Sequence, residues 1–365
     1  MKKAIAVLLS VSMILGLAAC GGDSGQTTSP STSAKTESAA PAESKDTTEA
    51  SGGLEGTYSF NIGSSSTAGS TTSNVFEAVQ ADISEASGGK MQMTYYGSSS
   101  LGTDSEMLTE CQNGNLPMVI VTTASLTSFI PEMGIFDMPC TATSMEQFAA
   151  LFENAEFMEK LQTWFAAAGL RLVAWDTSAS KLLASTEPVE KVADFQNLDM
   201  RTLNNKYQIA FWKGLGTNTI QIDASEIYLS MQQGLIDGVE FSMSGIQSRK
   251  INEVCKYVIE TMDMSQINMV VMSESVYESM SDGDKAWFDQ YMAGVSKDFT
   301  AASAQDVEAG WTALEAANIT CLRFNQTLFD EMKTVASETA WPLIREEVGD
   351  EVVDFYLKAL EAVSK

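Results

Sequence analysis

The amino-acid sequence predicts an α/β fold. Strand-like and helix-like segments alternate from Tyr58 to about Val363. Hydrophobic residues make up 44% of the chain, enough for a sizeable core. A length of 365 residues suits one large or two ordinary domains.

Residues 1–20 carry Lys2 and Lys3, then the apolar run Ala4 to Ala19, and end in Leu17-Ala18-Ala19-Cys20. This reads as a secretory signal peptide, too short and wrongly flanked for a mature transmembrane helix. Its ending resembles a bacterial lipobox, in which Cys20 would be lipidated and become the mature N-terminus. Residues 21–53 lack large apolar side chains and are expected to form a disordered tether.

Folding is expected from Leu54. Tyr58 to Ile62 alternates as a strand, Ser73 to Ala86 reads as a helix ended by Gly88-Gly89, and Met91 to Tyr96 as a second strand. A helix follows from Asp104 to Gln112, then a buried strand at Met118 to Val121. Met145 to Ala168 reads as one helix, with Ser144 and Gln147 as a capping box and Gly169 as its stop. Leu170 to Trp175 and Lys181 to Ser185 read as strands on either side of residues 176–180. Later strands are expected at Val254 to Thr261 and Met269 to Met272, and helices at Ser281 to Ala317, Gln326 to Glu338 and Val352 to Val363.

The most informative stretch is Leu198 to Val254. It begins with Met200-Arg201 on a strand, followed by a helix at Asn204 to Leu215 and a turn at Gly216. Asp223 and Glu226 fit a capping box, and Ile227, Met231 and Leu235 share a helix face. Gly234 and Asp237-Gly238-Val239-Glu240 close the segment. Met200-Arg201, Gly216, Ser225-Glu226-Ile227-Tyr228, Gln232, Gly234 and the Asp237-to-Glu240 element, at this spacing, closely resemble the solute-binding proteins of TRAP (tripartite ATP-independent periplasmic) transporters. Thr219 replaces the usual proline, and Ser230-Met231 the usual Ala-Leu. The resemblance extends over about residues 56–345, through Ser87-Gly88-Gly89-Lys90, Leu101-Gly102, Pro131-Glu132 and Phe136 to Pro139.

That resemblance implies a two-lobed periplasmic-binding-protein-like fold with an interlobe ligand cleft and a long helix across both lobes. Lobe I would comprise residues 54–178 plus about 267–306, and lobe II residues 179–266 plus about 307–365. It implies a monomer, anchored through Cys20 outside the cytoplasm. The protein would capture a small organic acid and pass it to TRAP permease subunits. Arg201 would hold the ligand carboxylate: guanidinium is planar, permanently charged and matches two carboxylate oxygens. Lys181 stands where many relatives carry a second arginine, Phe241 where asparagine is frequent, and Ala224 where some have an aromatic. A sialic-acid-type ligand is therefore not carried over. Ser65, Asp104 and Thr122 match cleft positions of the first lobe, where they either bind ligand or serve as turn and cap residues. Tyr207 and Glu240 complete the candidate ligand set.

Composition narrows the alternatives. With 22 Lys and Arg against 48 Asp and Glu the formal charge is −26, which speaks against nucleic acid or an anionic membrane surface as partner. Histidine is absent, which removes Ser-His and Cys-His catalysis and the commonest transition-metal ligand. No metal or cofactor is expected. Cys111, Cys140, Cys255 and Cys321 are too widely spaced for a zinc motif and could be free thiols or disulfides. Asp237 and Glu240 lie three apart, so on a strand they point to opposite faces and do not flank one scissile bond. A binding component of an ABC importer or a ligand sensor is the nearest alternative; a secreted carboxylate-dependent hydrolase is a remote one.

Overall fold

The computed structural model describes residues 54–223 and 226–364. The leader, Cys20 and the tether lie outside the described residues, as do Ala224 and Ser225.

The predicted alternation is present. β1 (Tyr58–Ser64), α1 (Thr71–Ala86), β2 (Met91–Tyr96), α2 (Asp104–Gln112) and β3 (Met118–Thr122) come first. Ser70 caps α1 by accepting from the Ser73 N–H, and Phe76, Val79 and Ile83 form its buried stripe. Thr103 and Glu106 make a reciprocal capping box on α2.

After α3 (Thr123–Leu126), the single helix expected over 145–168 is two: α4 (Met145–Glu153) and α5 (Ala155–Ala167). Asn154 breaks it. Its ψ of 114° is extended, and its side-chain oxygen accepts from the Phe157 N–H, so one residue ends one helix and caps the next. The box at Ser144 is half formed. Ser144 accepts from the Gln147 N–H, but Gln147 Oε1 accepts from the Thr143 N–H instead of reaching back to Ser144.

β4 (Leu170–Ser180) runs through the expected gap, and β5 (Leu182–Ser185) starts one residue later, so only Lys181 separates them. The Lys181 N–H donates to the Met264 carbonyl at 2.9 Å. Next come β6 (Asp199–Thr202), α6 (Lys206–Gly214), β7 (Asn218–Gln221) and α7 (Ile227–Gln232). The capping box expected of Asp223 and Glu226 does not form: α7 begins after Glu226, and no side chain caps it. β8 (Gly238–Phe241), α8 (Met243–Ser248), β9 (Tyr257–Ile259), β10 (Ser265–Ser273) and α9 (Glu274–Glu278) follow.

α10 (Asp282–Ala316) is the expected long helix, 35 residues. β11 (Thr320–Leu322), α11 (Gln326–Val348) and α12 (Asp350–Ala362) finish the chain. α11 runs ten residues past its expected end and carries Pro342 within it.

Two sheets result. The first has the order β2-β1-β3-β10-β4 and the second β11-β9-β5-β8-β6-β7. β1, β2 and β3 are mutually parallel, with β10 antiparallel to both β3 and β4. In the second sheet β6 is parallel to β7 and β8, and β5 is antiparallel to β8 and β9. α10 spans both. Ser296 accepts from the Trp175 N–H and Ser303 donates to Asp176, which ties the N-terminal part to β4. The C-terminal part packs on α8, where a Cβ at Gly310 would come within 2.2 Å of Met243 Cγ. A side chain there would push the helices apart.

Three apolar clusters hold this frame. Phe60, Phe76, Phe288 and Phe299 fill the space between the first sheet and α1 and α10. Val239, Met243, Ile246 and Trp311 do the same under the second. A third cluster is continuous from Phe136, Phe157 and Tyr356 to Phe211, Trp212 and Met332, so α11 and α12 share one core with both sheets. No helix among the described residues is long and apolar enough to cross a membrane.

Candidate functional site

In open α/β sheets, ligands bind beyond the carboxyl ends of parallel strands. β6, β7 and β8 present such ends together, and Arg201 is next to last on β6. Met200 is packed with Phe211 and Trp212, so alternation turns Arg201 to the other face, beside its register partners Ile220 and Val239. Arg201 is 8% exposed, and its Nε donates to the Ile222 carbonyl at 3.1 Å. No described carboxylate forms an ion pair with it, whereas Arg171, Arg323 and Arg345 all have such partners. Desolvation, then the charge of Arg249, hold its pKa below the usual arginine value; Asp223 and Glu240 act against them. An oriented, largely desolvated guanidinium without a described carboxylate partner is suited to receive one from a ligand.

Phe241 lies on the same face as Arg201, two residues beyond Val239. It is half-buried, and the exposed Arg249, just past α8, places its guanidinium 5.2 Å from the ring centroid.

Glu240 points to the opposite face. Its Oε2 accepts from Trp212 Nε1 at 3.1 Å, and its Oε1 is buried without a hydrogen-bond partner among the described residues. Asp263, 1% exposed, faces it; one oxygen accepts from the Thr261 hydroxyl and Oδ2 is the second such orphan. Desolvation raises the Glu240 pKa well above its usual value, and the charge of the neighbouring Asp263 adds to this. Burial beside a second carboxyl favours the protonated form of Glu240. The Lys181 charge opposes the rise at Glu240, and likewise at Asp137, whose pKa desolvation raises. The Lys181 charge therefore acts on two buried acids, Glu240 and Asp137.

At the strand ends of the first sheet, the Ser125 hydroxyl donates to Asp104 Oδ2 at 2.9 Å and lies 3.4 Å from the Thr122 hydroxyl. Asp104 Oδ1 is buried and unpartnered among the described residues. Ser65 is exposed just past β1. The Tyr207 hydroxyl donates to Glu347 on α11, which also pairs with Lys206. Asp237 has a turn role: one oxygen accepts from the Thr186 hydroxyl and the other from the Asp199 N–H.

The structure thus forms three groups: Arg201 with Phe241; Lys181 with Glu240; and Asp104 with Thr122. Arg249, Asp263, Asp137 and Ser125 were not found from sequence. Asp137 lies within the Phe136-to-Pro139 motif, and Arg249 is one of only five arginines in the chain. All four described cysteines are free, and burial pushes the Cys111 thiol up to about 12. A cavity of about 550 Å³ lies between α5 and α12, lined by Glu132, Glu156, Glu159, Lys160, Trp164 and Phe355 among others. None of the candidate residues borders it.

Two sheets joined at narrow crossings, with an oriented guanidinium at parallel strand ends, define a two-lobed α/β binding protein. Residues 62–341 match the bacterial extracellular solute-binding protein family 7, and the chain belongs to that family. The resemblance to TRAP solute-binding proteins is borne out. The uncharacterized protein YiiZ of Salmonella typhimurium is 26% identical over 200 residues, 54% of this chain and 61% of that protein. The sialic acid-binding periplasmic protein SiaP of Vibrio cholerae is 25% identical over 251 residues, 66% of this chain and 74% of its own. A solved TRAP periplasmic solute binding protein from Ochrobactrum anthropi superposes with a TM-score of 0.80 at 21% identity, covering 84% of this chain and 96% of the other.

Proposed function

We propose that this chain is an extracytoplasmic solute-binding lipoprotein, anchored through Cys20, that captures a small carboxylate and delivers it to TRAP permease subunits. Lobe I would comprise residues 54–178 and about 267–306, with the remainder of the folded chain forming lobe II. The observation that carries this reading is Arg201: buried, oriented by the Ile222 carbonyl and free of any described ion pair. In a chain with 48 acids to 22 bases, that arrangement favours an incoming anion. A ligand contacting both lobes would stabilise the closed state in proportion to its differential contacts. The acid-binding relative supports the class of ligand, not its identity.

A thermal-shift screen of organic acids tests the reading, because a ligand that binds only the folded state raises the melting temperature by mass action. At least one carboxylate should give a saturable shift that Arg201→Ala abolishes. A protein that responds to none, or whose Arg201→Ala variant responds unchanged, is not a carboxylate receptor of this design.

A further inference from the structure

Beside the crossing between the sheets, two buried carboxylate oxygens have no hydrogen-bond partner among the described residues, Glu240 Oε1 and Asp263 Oδ2. Asp263 is 1% exposed and lies on the segment that returns from β9 to β10. Ionised carboxylates only accept, so two neighbouring ones cannot satisfy each other without a proton.

The groups around this pair come from several elements. Trp212 on α6 donates to Glu240 Oε2, the Thr261 hydroxyl donates to Asp263, and the Lys181 charge acts on Glu240 from the crossing. Cys140 donates its N–H to the Asp263 carbonyl, and its thiol lies in the fields of Asp263, Glu240 and, from α11, Lys333. Asp137 is subject to Lys181 and Glu347. On β6, Arg201 is reached by the Glu240 charge, and by those of Asp223 and Arg249.

The link from Glu240 to Arg201 joins the acid pair to the ligand site. Val239 is the register partner of Arg201, and Glu240 is the next residue on β8, with its side chain on the opposite face of the sheet. An ionised Glu240 therefore lends negative charge to Arg201 across one layer of backbone. A ligand carboxylate on Arg201 brings a second negative charge close to Glu240. Like charges disfavour each other's ionised form, and more so where water is excluded. Burial already raises the Glu240 pKa, which brings the protonated form within reach.

We infer that Glu240 and Asp263 form a proton-binding site coupled to the ligand, so that the protein takes up a proton there when a carboxylate settles on Arg201. The proton comes from solvent, and the only bond formed is a carboxyl O–H. Anion and proton enter on opposite faces of one strand pair. This rests on the carboxylate reading of Arg201 and adds to it what accompanies the ligand.

At pH below the ligand-free pKa of Glu240 the proton is already bound and affinity is flat. Above it, affinity falls as pH rises, by at most about tenfold per pH unit for one proton. The chain has no histidine to add a pH dependence of its own, and the ligand carboxylate stays ionised between about pH 6 and pH 9.

The test is calorimetry over that range in buffers of differing ionisation enthalpy, which counts the protons exchanged. The probe is the acid that gives the largest saturable thermal shift in a panel of linear monocarboxylates, dicarboxylates and sugar acids. The wild type should take up as much as one proton and bind more weakly as pH rises. Glu240→Gln should bind without uptake and with a flat profile. Asp263→Asn removes the neighbouring charge and supplies a donor, so the fall in affinity should begin at lower pH. Lys181→Met removes the opposing cation and should move that onset to higher pH. Should Glu240→Gln fail to fold, these two opposed shifts decide. A wild type that binds without proton exchange overturns the inference and leaves the carboxylate reading standing. Uptake that persists in Glu240→Gln overturns it too, placing the proton on Asp137 or Cys140. If no acid of the panel binds, the carboxylate reading falls and this inference with it. Circular dichroism and melting temperature of each variant separate lost binding from lost folding.

Discussion

At the scale of single residues, Arg201 and Glu240 make opposite demands. On the carboxylate reading, Arg201 takes its partner from the ligand. Truncating one member of a buried charge pair costs about 2–5 kcal/mol, so Arg201→Ala should weaken binding of the captured acid by about 30-fold to several-thousand-fold. Arg201→Lys keeps the charge, loses the fork and should fall between the two in a calorimetric series. Glu240 instead needs a proton, because its buried Oε1 and Asp263 Oδ2 have no other described partner. Its folded pKa lies above the unfolded one, so the folded state binds the extra proton. The associated stability is complete at pH below the unfolded glutamate value and is lost as pH rises toward the folded value. The chain has no histidine, so no side chain titrates near neutrality at its ordinary pKa. A denaturation midpoint that falls as pH rises above the ordinary glutamate value is the signature expected of Glu240, and Asp137, whose pKa burial also raises, contributes in the same direction. Glu240→Gln donates a hydrogen bond without titrating and should flatten that slope; an unchanged slope would remove the pair from consideration.

Among elements, the contrast between what was legible and what was not comes down to side-chain partners. β2 and α2 were readable because alternation and a helix-opening turn are local. The break at Asn154 was not, since Met145 to Ala168 keeps helical spacing throughout and only the backbone turn at Asn154 reveals the second cap. Asn154→Ala should cost about 1 kcal/mol in chemical denaturation, the usual value for a lost N-cap. By sequence Asp176 to Ser180 resembles a polar loop; the chain stays extended there because β10 pairs with it as far as Ser180. Arg201 was legible from its motif, but Arg249 and Asp263 belong to no local pattern and meet the site only through the sheet. A similar tertiary device opens α10: Asp284 accepts from the Glu55 and Gly56 N–H groups and the Tyr58 hydroxyl. Although desolvation works against it, these hydrogen bonds hold its pKa below the usual carboxylate value. Its contribution should be present above the unfolded aspartate pKa and vanish as pH falls through the lower folded value. Asp284→Ala should cost about 1–3 kcal/mol for the donors it strands.

For the whole molecule, the same contacts indicate where the folded body begins. Leu54 packs on the cluster around Phe60 and Phe288, and Glu55 and Gly56 are tied to Asp284. A chain beginning at Leu54 should therefore keep the melting temperature and ligand affinity of the longer protein, whereas one beginning at Ser59 should melt earlier. Loss of stability on removing residues 21–53 alone would show that they are more than a tether. Likewise, Phe136 meets Phe152, Phe157 and Tyr356 at centroid distances of 5.7–6.3 Å, joining α12 to the first sheet's helices. Phe136→Ala should cost about 3–5 kcal/mol and loosen the C-terminal helix first, which hydrogen exchange would detect.

The crossing at Lys181 has a mechanical meaning. β4 passes into β5 on one side while Glu260 to Met264 returns to β10 on the other, and the two paths are cross-linked where Lys181 donates to Met264 and Ser180 pairs with Ser265. Beside them, Cys140, held at a φ of +57°, donates its N–H to the Asp263 carbonyl. Two parallel rails laced in this way resist shear and swivel but yield to flexure across their plane. Relative rotation of the sheets should accordingly follow one axis, like a leaf spring rather than a ball joint. Spin-label distances measured across the crossing would then shift in concert, along a single coordinate, when ligand is added.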